Sequence, residues 1–373
     1  MSTVSLETIT PALSTKEAQV FVAPQWKLVW WKFRKHKVAL ISAVIVLIIY
    51  LVAGIAEFLS PFAPDVTNDV YLYAPPQPLK IDGSGLYVYG YTSAVDPVAL
   101  RRTFTVDPTQ KIPVGFFVKG VSYKWFDLIS GDRHLIGPLD STQPMYLLGA
   151  DRLGRDLLSR LIVGTRVSLS VGLVGVLLTL ALGIVLGGIS GYFGGLPDLL
   201  IQRLIEFVSS IPSIPLWMGL AAALPNDLPP LQVYFFITLI LSLVSWPGMA
   251  RVIRGRFLSL REEDFVMAAR LDGASQARII LRHMVPAFAS HIIATITLTI
   301  PNMILSETAL SFIGLGLREP IVSWGVLLQD AINIRSIATA PWLLIPALAL
   351  VVTVLAMNFL GDGLRDAADP YAR

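Results

Sequence analysis

The most ordered polar stretch of this 373-residue chain lies between two long apolar runs, at residues 267–286. It holds two adjacent alanines, then a glycine, a basic helical segment and a proline at the start of the next apolar run. Small residues permit close packing, and paired charges form polar contacts, so this pattern suits docking onto another protein better than bond-making chemistry. The candidate contact residues are Ala268, Ala269, Arg270, Asp272, Gly273, Ala274, Arg278 and Pro286.

Catalytic and metal-binding patterns have little support in the sequence. The absence of cysteine excludes disulfides, thiolate catalysis and cysteine-ligated metals. The histidines are scattered, without a pair at metal-binding spacing (His36, His134, His283 and His291). Neither an H-E-x-x-H motif nor a G-x-x-x-x-G-K-[ST] phosphate loop is present. We therefore expect no catalytic residue, cofactor or metal on this chain, and a membrane-embedded enzyme is only a remote alternative.

Two short helices are needed to position the polar stretch. The sequence predicts one helix over 265–271 and another over 274–284, with Gly273 giving the backbone freedom to turn between them. Pro286 marks the entry to the next apolar segment. These elements form a helix–turn–helix knob. The alternative is a solvated, arginine-rich loop.

Composition places the knob in a membrane protein. Hydrophobic residues make up 54% of the chain and charged residues 15%, with mean hydropathy +0.66 and a small net charge of +3, whereas soluble domains carry about 25% charged residues. Roughly 20 apolar residues span a bilayer as a helix. Arg203, Glu206, Pro212 and Pro215 interrupt the third of the predicted spans, and Pro301 could break the fifth. The six predicted spans are 38–59, 167–192, 199–224, 233–250, 288–317 and 341–360.

The distribution of lysine and arginine orients these spans. Basic residues cluster before the first span, at 27–37, and between the fourth and fifth spans, at 251–282. Cytoplasmic loops carry such an excess, and an even number of spans puts both termini on one side. We therefore expect cytoplasmic termini and an external segment at 60–166. Tryptophans alternate with basic residues over 25–37, which predicts an amphipathic helix in the cytoplasmic interface.

The external segment differs in composition from the rest of the chain. Residues 60–142 are rich in Pro, Gly, Asp and Tyr and contain strand-like runs at 86–91, 104–106 and 114–121. This pattern predicts a small β-rich extracytoplasmic lobe. It could contact a solute-delivery protein or simply cap the membrane domain.

Several motifs resemble one family. The stretch AARLDGASQARIILRHMVP (268–286) resembles the EAA loop of ABC-importer permeases, although Met267 stands where an acidic residue gives the loop its name. Four further motifs resemble the second-subunit type of the dipeptide/oligopeptide/nickel branch of this family. They are LGADRLGRDLLSRLIVGTRVSLSVG (148–172), ETALSFIGLGL (307–317), SWG (323–325) and NFLGDGLRDAADP (358–370).

The resemblance implies an all-α polytopic fold, the six-helix type I ABC importer permease. The β-rich insertion between the first two helices is predicted from composition, and it is longer than in a minimal member of the family. This organisation divides the chain into a tail and interfacial helix (1–37), a first span (38–59), the insertion (60–142), a core permease domain (143–363, coupling loop about 251–287) and a C-terminal tail (364–373). The implied partners are a homologous permease subunit, two cytoplasmic ATPases that bind ATP and Mg, an extracytoplasmic solute-binding protein and membrane lipid, but no nucleic acid. The implied location is a bacterial or archaeal inner membrane.

Ionisable residues inside spans are candidates for the solute path. Glu57 and Arg203 lie near span ends, where they reach the interface. Glu206 is spaced to pair with Arg203, and Glu307 is expected to cap or brace helices. A structural role is therefore predicted for all four, with a pathway role for Glu206 and Glu307 as the alternative.

The transported solute is the least determined property. The resemblance favours dipeptides or oligopeptides, with nickel chelates and oligosaccharides as alternatives. A standalone ion-coupled transporter would require inverted repeats with broken helices, and it would leave the stretch around Gly273 without a role.

Overall fold

The computed structural model describes residues 25–97, 102–126, 128–225 and 227–368. Residues 1–24 and 369–373 of the two predicted tails lie outside this part of the chain. The elements in chain order are α1 Gln25–Phe33, α2 Lys37–Gly54, α3 Ala56–Leu59, β1 Lys80–Asp82, β2 Gly85–Val95, β3 Arg102–Trp125, β4 Ile129–Pro138, α4 Leu157–Phe193, α5 Gly195–Ser210, α6 Ser213–Ala222, α7 Pro230–Leu260, α8 Asp264–Leu271, α9 Gln276–Arg278, a π-helix Ile279–Met284, α10 Val285–Ala287, α11 Ala289–Phe312, α12 Trp324–Leu328, a 3₁₀ helix Gln329–Ile332, α13 Ile334–Thr339, a 3₁₀ helix Pro341–Leu344 and α14 Ile345–Ala368.

Five segments in the described ranges are long and apolar enough to cross a membrane: α2, α4, α7, α11 and Pro341–Ala367. The α5–α6 pair provides a sixth span if it is counted as one. The predicted spans therefore coincide with helices, but α4 begins well before residue 167. Similarly, α7 continues to Leu260, so residues 251–260 of the predicted coupling loop extend this helix.

The third predicted span, 199–224, is not one straight helix. Its two halves, α5 and α6, are bent by 86°. Pro212 explains the break, because the residue before a proline is pushed out of the helical region. Ile211 accordingly has φ −93° and ψ 128°, and α5 ends at Ser210.

The fifth predicted span behaves in the opposite way at its proline. Pro301 is buried inside the continuous helix α11, so no break occurs there. A proline removes one backbone donor, and membrane helices tolerate this loss where neighbouring helices and Ser or Thr side chains satisfy the freed groups. The helix ends at Phe312 rather than at residue 317, because Gly314 turns the chain with φ +81°.

Helices α4 and α7 pack at close range through a glycine face. Gly183, Gly187 and Gly191 recur every four residues along α4 and are buried. A Cβ atom on Gly187 or Gly191 would collide with the backbone of Ala250 or Arg254 on α7. Such small-residue faces let membrane helices approach backbone to backbone. This contact fixes the position of α7, which leads directly into the knob.

The predicted amphipathic helix at 25–37 is present as α1, which ends at Phe33. Phe33 is buried against Ala39 of α2 and Ala367 of α14, whereas Trp30 and Trp31 are exposed. The helix is therefore anchored on the ends of the first and last spans. Its location in the membrane interface stays a prediction.

The segment between α3 and α4 contains a four-stranded antiparallel sheet in the order β1-β2-β3-β4. The strand-like run at 86–91 lies in β2, while 104–106 and 114–121 lie in the single strand β3. Trp125 donates its indole N–H to the Gly54 carbonyl at 2.6 Å, and the buried His134 ring contacts the Ser60 carbonyl. The sheet is thus joined to the end of the first span. Its extracytoplasmic position stays a prediction.

Candidate coupling surface and intramembrane polar groups

The turn at Gly273 is a helix-capping motif. The Gly273 N–H donates to the Arg270 carbonyl at 3.0 Å, and the Ala274 N–H donates to the Ala269 carbonyl at 3.1 Å. These two bonds define a Schellman motif, whose turning residue adopts a left-handed conformation that favours glycine. Gly273 has φ +74°, so the predicted turn between two helical segments has a specific backbone reason.

The segment after the turn differs from the single helix predicted over 274–284. Ser275 caps the short helix α9 through its hydroxyl, which accepts from the Arg278 N–H. A π-helix follows, and its last bond joins the Val285 N–H to the Ile280 carbonyl. Because Pro286 lacks an N–H, the regular ladder cannot continue through it. The wider π turn leads the chain into α10 and then into α11.

The underside of the knob, defined here as residues 264–287, is packed on the membrane helices. Val266, Ala269, Ile279 and Met284 are buried in one cluster with Phe257 of α7. The guanidinium of Arg270 also lies over the ring of Tyr192, 5.2 Å from its centroid, which is within cation–π range. The knob is therefore attached to the ends of both α4 and α7.

The knob exposes several large apolar side chains. Leu271 is 88% exposed and Leu281 65% exposed, and Phe265 and Met267 are exposed as well. Large apolar side chains that are exposed together mark interaction sites when polar residues surround them. Arg278 and Asp272 are exposed beside them. We call Phe265, Met267, Leu271 and Leu281 the coupling surface.

The structure divides the predicted contact residues into two groups. One group is exposed on the knob: Ala268, Arg270, Asp272, Gly273, Arg278 and Pro286. The other faces the membrane helices, with Ala269 buried and Ala274 half-buried. The two alanines predicted to allow close packing thus differ, because only Ala269 lies on the packed side of α8.

Glu307, one of the two predicted intramembrane carboxylates, joins two helices. It is 0% exposed, and its Oε1 accepts from the hydroxyls of Ser311 at 2.8 Å and Ser323 at 2.7 Å. Ser323 caps α12, where its hydroxyl accepts from the Val326 N–H. Glu307 thus links α11 to the start of α12, and the expected bracing role stays a prediction.

Glu206 and Glu57 both form ion pairs. Glu206 accepts from Arg203 at 2.6 Å, which is the predicted pairing across one helical turn, and both side chains are exposed. Glu57 pairs with Arg166 of α4, and the same guanidinium donates to the Ala53 carbonyl at 2.8 Å. The second pair links the end of the first span to the second. A structural role for both glutamates stays a prediction.

The sequence reasoning missed a buried charge network at the start of α4. Asp151 accepts from Arg155 at 2.7 Å and from Arg160 at 2.6 Å, and both arginines also reach Glu319. Buried charges require such pairing. The available signal was the sequence LGADRLGRDLLSR, in which aspartates and arginines recur close together before an apolar run. The network ties α4 to the loop before α12.

Two aspartates near this network have raised pKa values. Burial raises the pKa of Asp156 to about 6, and the neighbouring Asp151 charge adds to this. Burial likewise raises the pKa of Asp330 to about 6, although Arg152 lies 3.0 Å away. Asp156 caps α4 by accepting from the Ser159 N–H at 2.8 Å.

The sequence reasoning also missed a charge contact next to the knob. Arg254 on α7 donates to both carboxylate oxygens of Asp198 on α5. Within the described residues, no group of three or more His, Cys, Asp or Glu side chains is arranged to hold a metal ion.

Comparisons with known proteins identify related families. Residues 183–373 match the family described as binding-protein-dependent transport system inner membrane component. Residues 24–76 match the N-terminal TM domain of oligopeptide transport permease C. An inward-facing structure of the MetNI methionine ABC transporter matches with 18% identity and a TM-score of 0.43, covering 56% of this chain and 96% of that one.

Characterised relatives carry related names. The oligopeptide transport system permease protein OppC of Escherichia coli K12 is 42% identical over 61% of this chain and 73% of its own length. The corresponding OppC of Haemophilus influenzae is 38% identical over 65% and 76%. The dipeptide transport system permease protein DppC of Lactococcus lactis is 33% identical over 92% and 90%. The chain belongs to the family of binding-protein-dependent transport system inner membrane components, as a multi-pass permease subunit rather than an enzyme.

Proposed function

We propose that this chain forms half of the translocation path of an ATP-driven importer of dipeptides or oligopeptides. The proposal rests on family membership and on the relatives, which are named as oligopeptide and dipeptide permease proteins. Nickel chelates and oligosaccharides are the alternative cargoes. The OppC and DppC relatives are named for oligopeptides and dipeptides, not for nickel or oligosaccharides.

The proposed assembly contains four further components. A homologous permease subunit completes the path, two cytoplasmic ATPases bind ATP and Mg, and a solute-binding protein delivers the cargo. The basic residues at 27–37 and 251–282 support cytoplasmic termini and a cytoplasmic knob. The four-stranded sheet then lies on the outer side, where it caps the membrane domain.

The single observation that carries the coupling role is the asymmetry of α8. Val266 and Ala269 fix this short helix on the membrane helices, whereas Leu271 at its end is 88% exposed. An exposed leucine on a firmly packed base suits a contact that transmits force. Closure of the ATPases would move the knob as a unit, and α7 and α11 would pass this movement to the path.

Two substitutions test the coupling role in the reconstituted complex. Leu271→Asp places a charge on the coupling surface without breaking an internal contact. Gly273→Trp adds bulk at the turn, where an added Cβ meets no atom within 4 Å but the positive φ strains any side chain. Loss of about 1.4 kcal/mol in docking is about a tenfold loss in affinity. We therefore expect peptide uptake to fall by about tenfold, while ATP hydrolysis no longer responds to peptide-loaded binding protein.

Ile81→Asp is the matched control, because Ile81 is 77% exposed but lies on β1, away from the knob. It should leave coupling unchanged. Normal uptake by Leu271→Asp would remove the docking role. The cargo is tested separately with labelled dipeptides, oligopeptides, nickel and oligosaccharides. Uptake of nickel or oligosaccharide without peptide uptake would replace the peptide assignment and leave the coupling role intact.

A further inference from the structure

Helix α11 carries a stripe of uncharged polar side chains. Thr295, Thr299, Asn302 and Ser306 follow the spacing i, i+4, i+7, i+11, which places them along one face. Asn302 is exposed in the middle of this spanning helix. An amide oxygen facing lipid hydrocarbon is unfavourable because it finds no hydrogen-bond donor there. This face therefore meets either water or protein in the assembled transporter.

The stripe borders a cavity of about 280 Å³ between three spanning helices. Thr179 lines it from α4 and Ser245 from α7, together with Gly248, Met249 and Val252. Such a volume has room for several waters. The described residues that line the cavity include hydroxyls, one amide and thioethers, but no charged side chain.

Thr179 gives independent evidence for a ligand in this cavity. Its side chain is only 1% exposed, yet its hydroxyl has no hydrogen-bond partner in the part of the chain that the structure describes. Serine and threonine hydroxyls in helices commonly donate to the carbonyl four residues earlier. The corresponding carbonyl, that of Gly175, instead accepts from Ser242 at 3.0 Å. Thr179 thus lines the cavity with a buried hydroxyl whose bonding capacity is not used within the described part of the chain.

The hydroxyls of the α11 stripe already use their protons in hydrogen bonds. Those of Thr295, Thr299 and Ser306 donate to backbone carbonyls of α11 at 2.7–2.8 Å. Their protons are therefore engaged, and their oxygen lone pairs are left as acceptors. The Asn302 amide likewise donates to the Leu298 carbonyl at 3.2 Å, which leaves its oxygen as an acceptor. The stripe offers acceptors for N–H groups, and Thr179 offers a donor for a carbonyl.

We propose that this cavity is the solute-contacting part of the path in this subunit, and that it holds a peptide by its main chain. The inference rests on the proposed function and names the contact chemistry. Peptide N–H groups meet the acceptor stripe, and a peptide carbonyl meets Thr179. Since no fixed charge lines the wall, the contact does not read the charge of the cargo side chains.

The chain has no cysteine, so each introduced thiol is unique in the subunit. Thr295→Cys, Thr299→Cys and Asn302→Cys are compared with Thr297→Cys. At about 100° per residue, Thr297 lies on the opposite face of α11. The complete transporter, with other cysteines removed from its partners, is treated with a small hydrophilic thiosulfonate. We expect labelling at the three stripe positions to be several-fold faster than at Thr297, and to slow when saturating peptide-loaded binding protein is added.

The outcomes separate the two proposals. Labelling as slow as at Thr297 means that the stripe faces lipid or a partner helix, and this overturns the inference. Rapid labelling without peptide protection, in a complex that imports the peptide, also overturns it. Failure of the unsubstituted complex to import any peptide overturns the proposed function instead.

A charged substitution tests whether the neutral cavity wall is indifferent to the charge of the peptide side chains. Asn302→Asp should raise the uptake ratio of lysine-containing to aspartate-containing peptides several-fold relative to the unsubstituted complex, because it adds a negative charge to a neutral wall. Asn302→Gln, which keeps the amide, should leave this ratio unchanged. An unchanged ratio in Asn302→Asp would show that the cargo does not pass this wall.

Discussion

Arg254 holds both carboxylate oxygens of Asp198, with its Nε 2.7 Å from Oδ1 and its Nη2 2.6 Å from Oδ2. This bidentate contact joins α7, just before the knob, to α5, the first half of the bent third span. Bidentate arginine–carboxylate pairs fix orientation as well as distance. The helix that leads into the knob is therefore joined to the bent span as well as to α4.

The strength of this contact is measured by a double-mutant cycle. Arg254→Lys keeps the charge but cannot donate through two parallel N–H groups, and Asp198→Asn removes the carboxylate charge. Both side chains are partly shielded from solvent. We expect an interaction energy of about 1–2 kcal/mol between the two changes. Chemical denaturation of the purified complex in detergent measures it.

Arg282→Lys is the control for this cycle, because Arg282 is exposed on the knob. It should change stability by less than about 0.5 kcal/mol. Strict additivity of Arg254→Lys and Asp198→Asn would show that the bidentate contact contributes nothing beyond its separate residues.

The positions of the spans and of the turn at Gly273 could be predicted from the sequence, because apolar length and a glycine next to a helix are local signals. The bend in α5–α6 was signalled by Pro212, but its size of 86° was not. Pro301 shows the converse case. The same residue type stays within a continuous helix, because its surroundings rather than its own chemistry decide the outcome.

The polar contacts were harder to predict, since most join residues far apart in the chain. Glu307 meets Ser323 across a loop, and Arg160 meets Glu319 from another helix. Arg203 and Glu206, one helical turn apart, had a partner that spacing alone could identify. Whether the Thr179 hydroxyl finds a partner among the described residues depends on which carbonyl Ser242 donates to, and residue periodicity does not predict that.

The turn at Gly273 gives a prediction about local stability. Its φ of +74° is readily adopted by glycine and next best by asparagine. An added Cβ meets nothing within 4 Å, so the cost of substitution comes from backbone strain rather than from collision. We expect local stability to fall in the order Gly, Asn, Ala, with alanine costing about 1 kcal/mol. Hydrogen exchange of the amides in Asp264–Leu271 measures this order, and equal protection in the three proteins would contradict it.

The stability of the protein should depend more on the acceptor oxygens of Glu307 than on its charge. Glu307→Gln keeps an acceptor for the Ser311 and Ser323 hydroxyls, whereas Glu307→Leu leaves both buried without their partner. Each unsatisfied buried hydroxyl costs about 1–3 kcal/mol. The leucine variant should therefore unfold at a clearly lower temperature than the glutamine variant. Similar thermal shifts in detergent for both variants would rule out the bracing role.

Asp156 predicts a pH dependence. Its folded-state pKa is raised to about 6, whereas an unfolded aspartate ionises near pH 3.9. The folded state therefore holds this proton more tightly, and the free energy of unfolding falls as pH rises from about 4 to about 6. The difference corresponds to about 2–3 kcal/mol. Asp156→Asn keeps an oxygen for the Ser159 N–H and should remove this fall.

Thermal unfolding between pH 4 and pH 7 measures the effect of Asp156→Asn. Asp140→Asn is the contrasting control, because the Thr142 hydroxyl and N–H lower the pKa of Asp140. Its carboxylate stabilises the fold above the unfolded pKa, and this contribution is lost as pH falls further. Parallel pH curves for the unsubstituted protein and Asp156→Asn would contradict the assigned shift.

The glycine face of α4 gives the last prediction. A Cβ atom on Gly187 would meet the Ala250 backbone, with the Ala250 Cα at 3.0 Å, and a helix backbone cannot move as a side chain can. Gly187→Ala should therefore separate α4 from α7 and destabilise the protein by about 1–3 kcal/mol. Gly255→Ala on α7 is the control, because an added Cβ there meets nothing within 4 Å and alanine is the better helix former. Thermal unfolding in detergent should show a loss for the first variant and none for the second. Equal stability would mean that α4 and α7 are not packed backbone to backbone, and the knob would lose its fixed base.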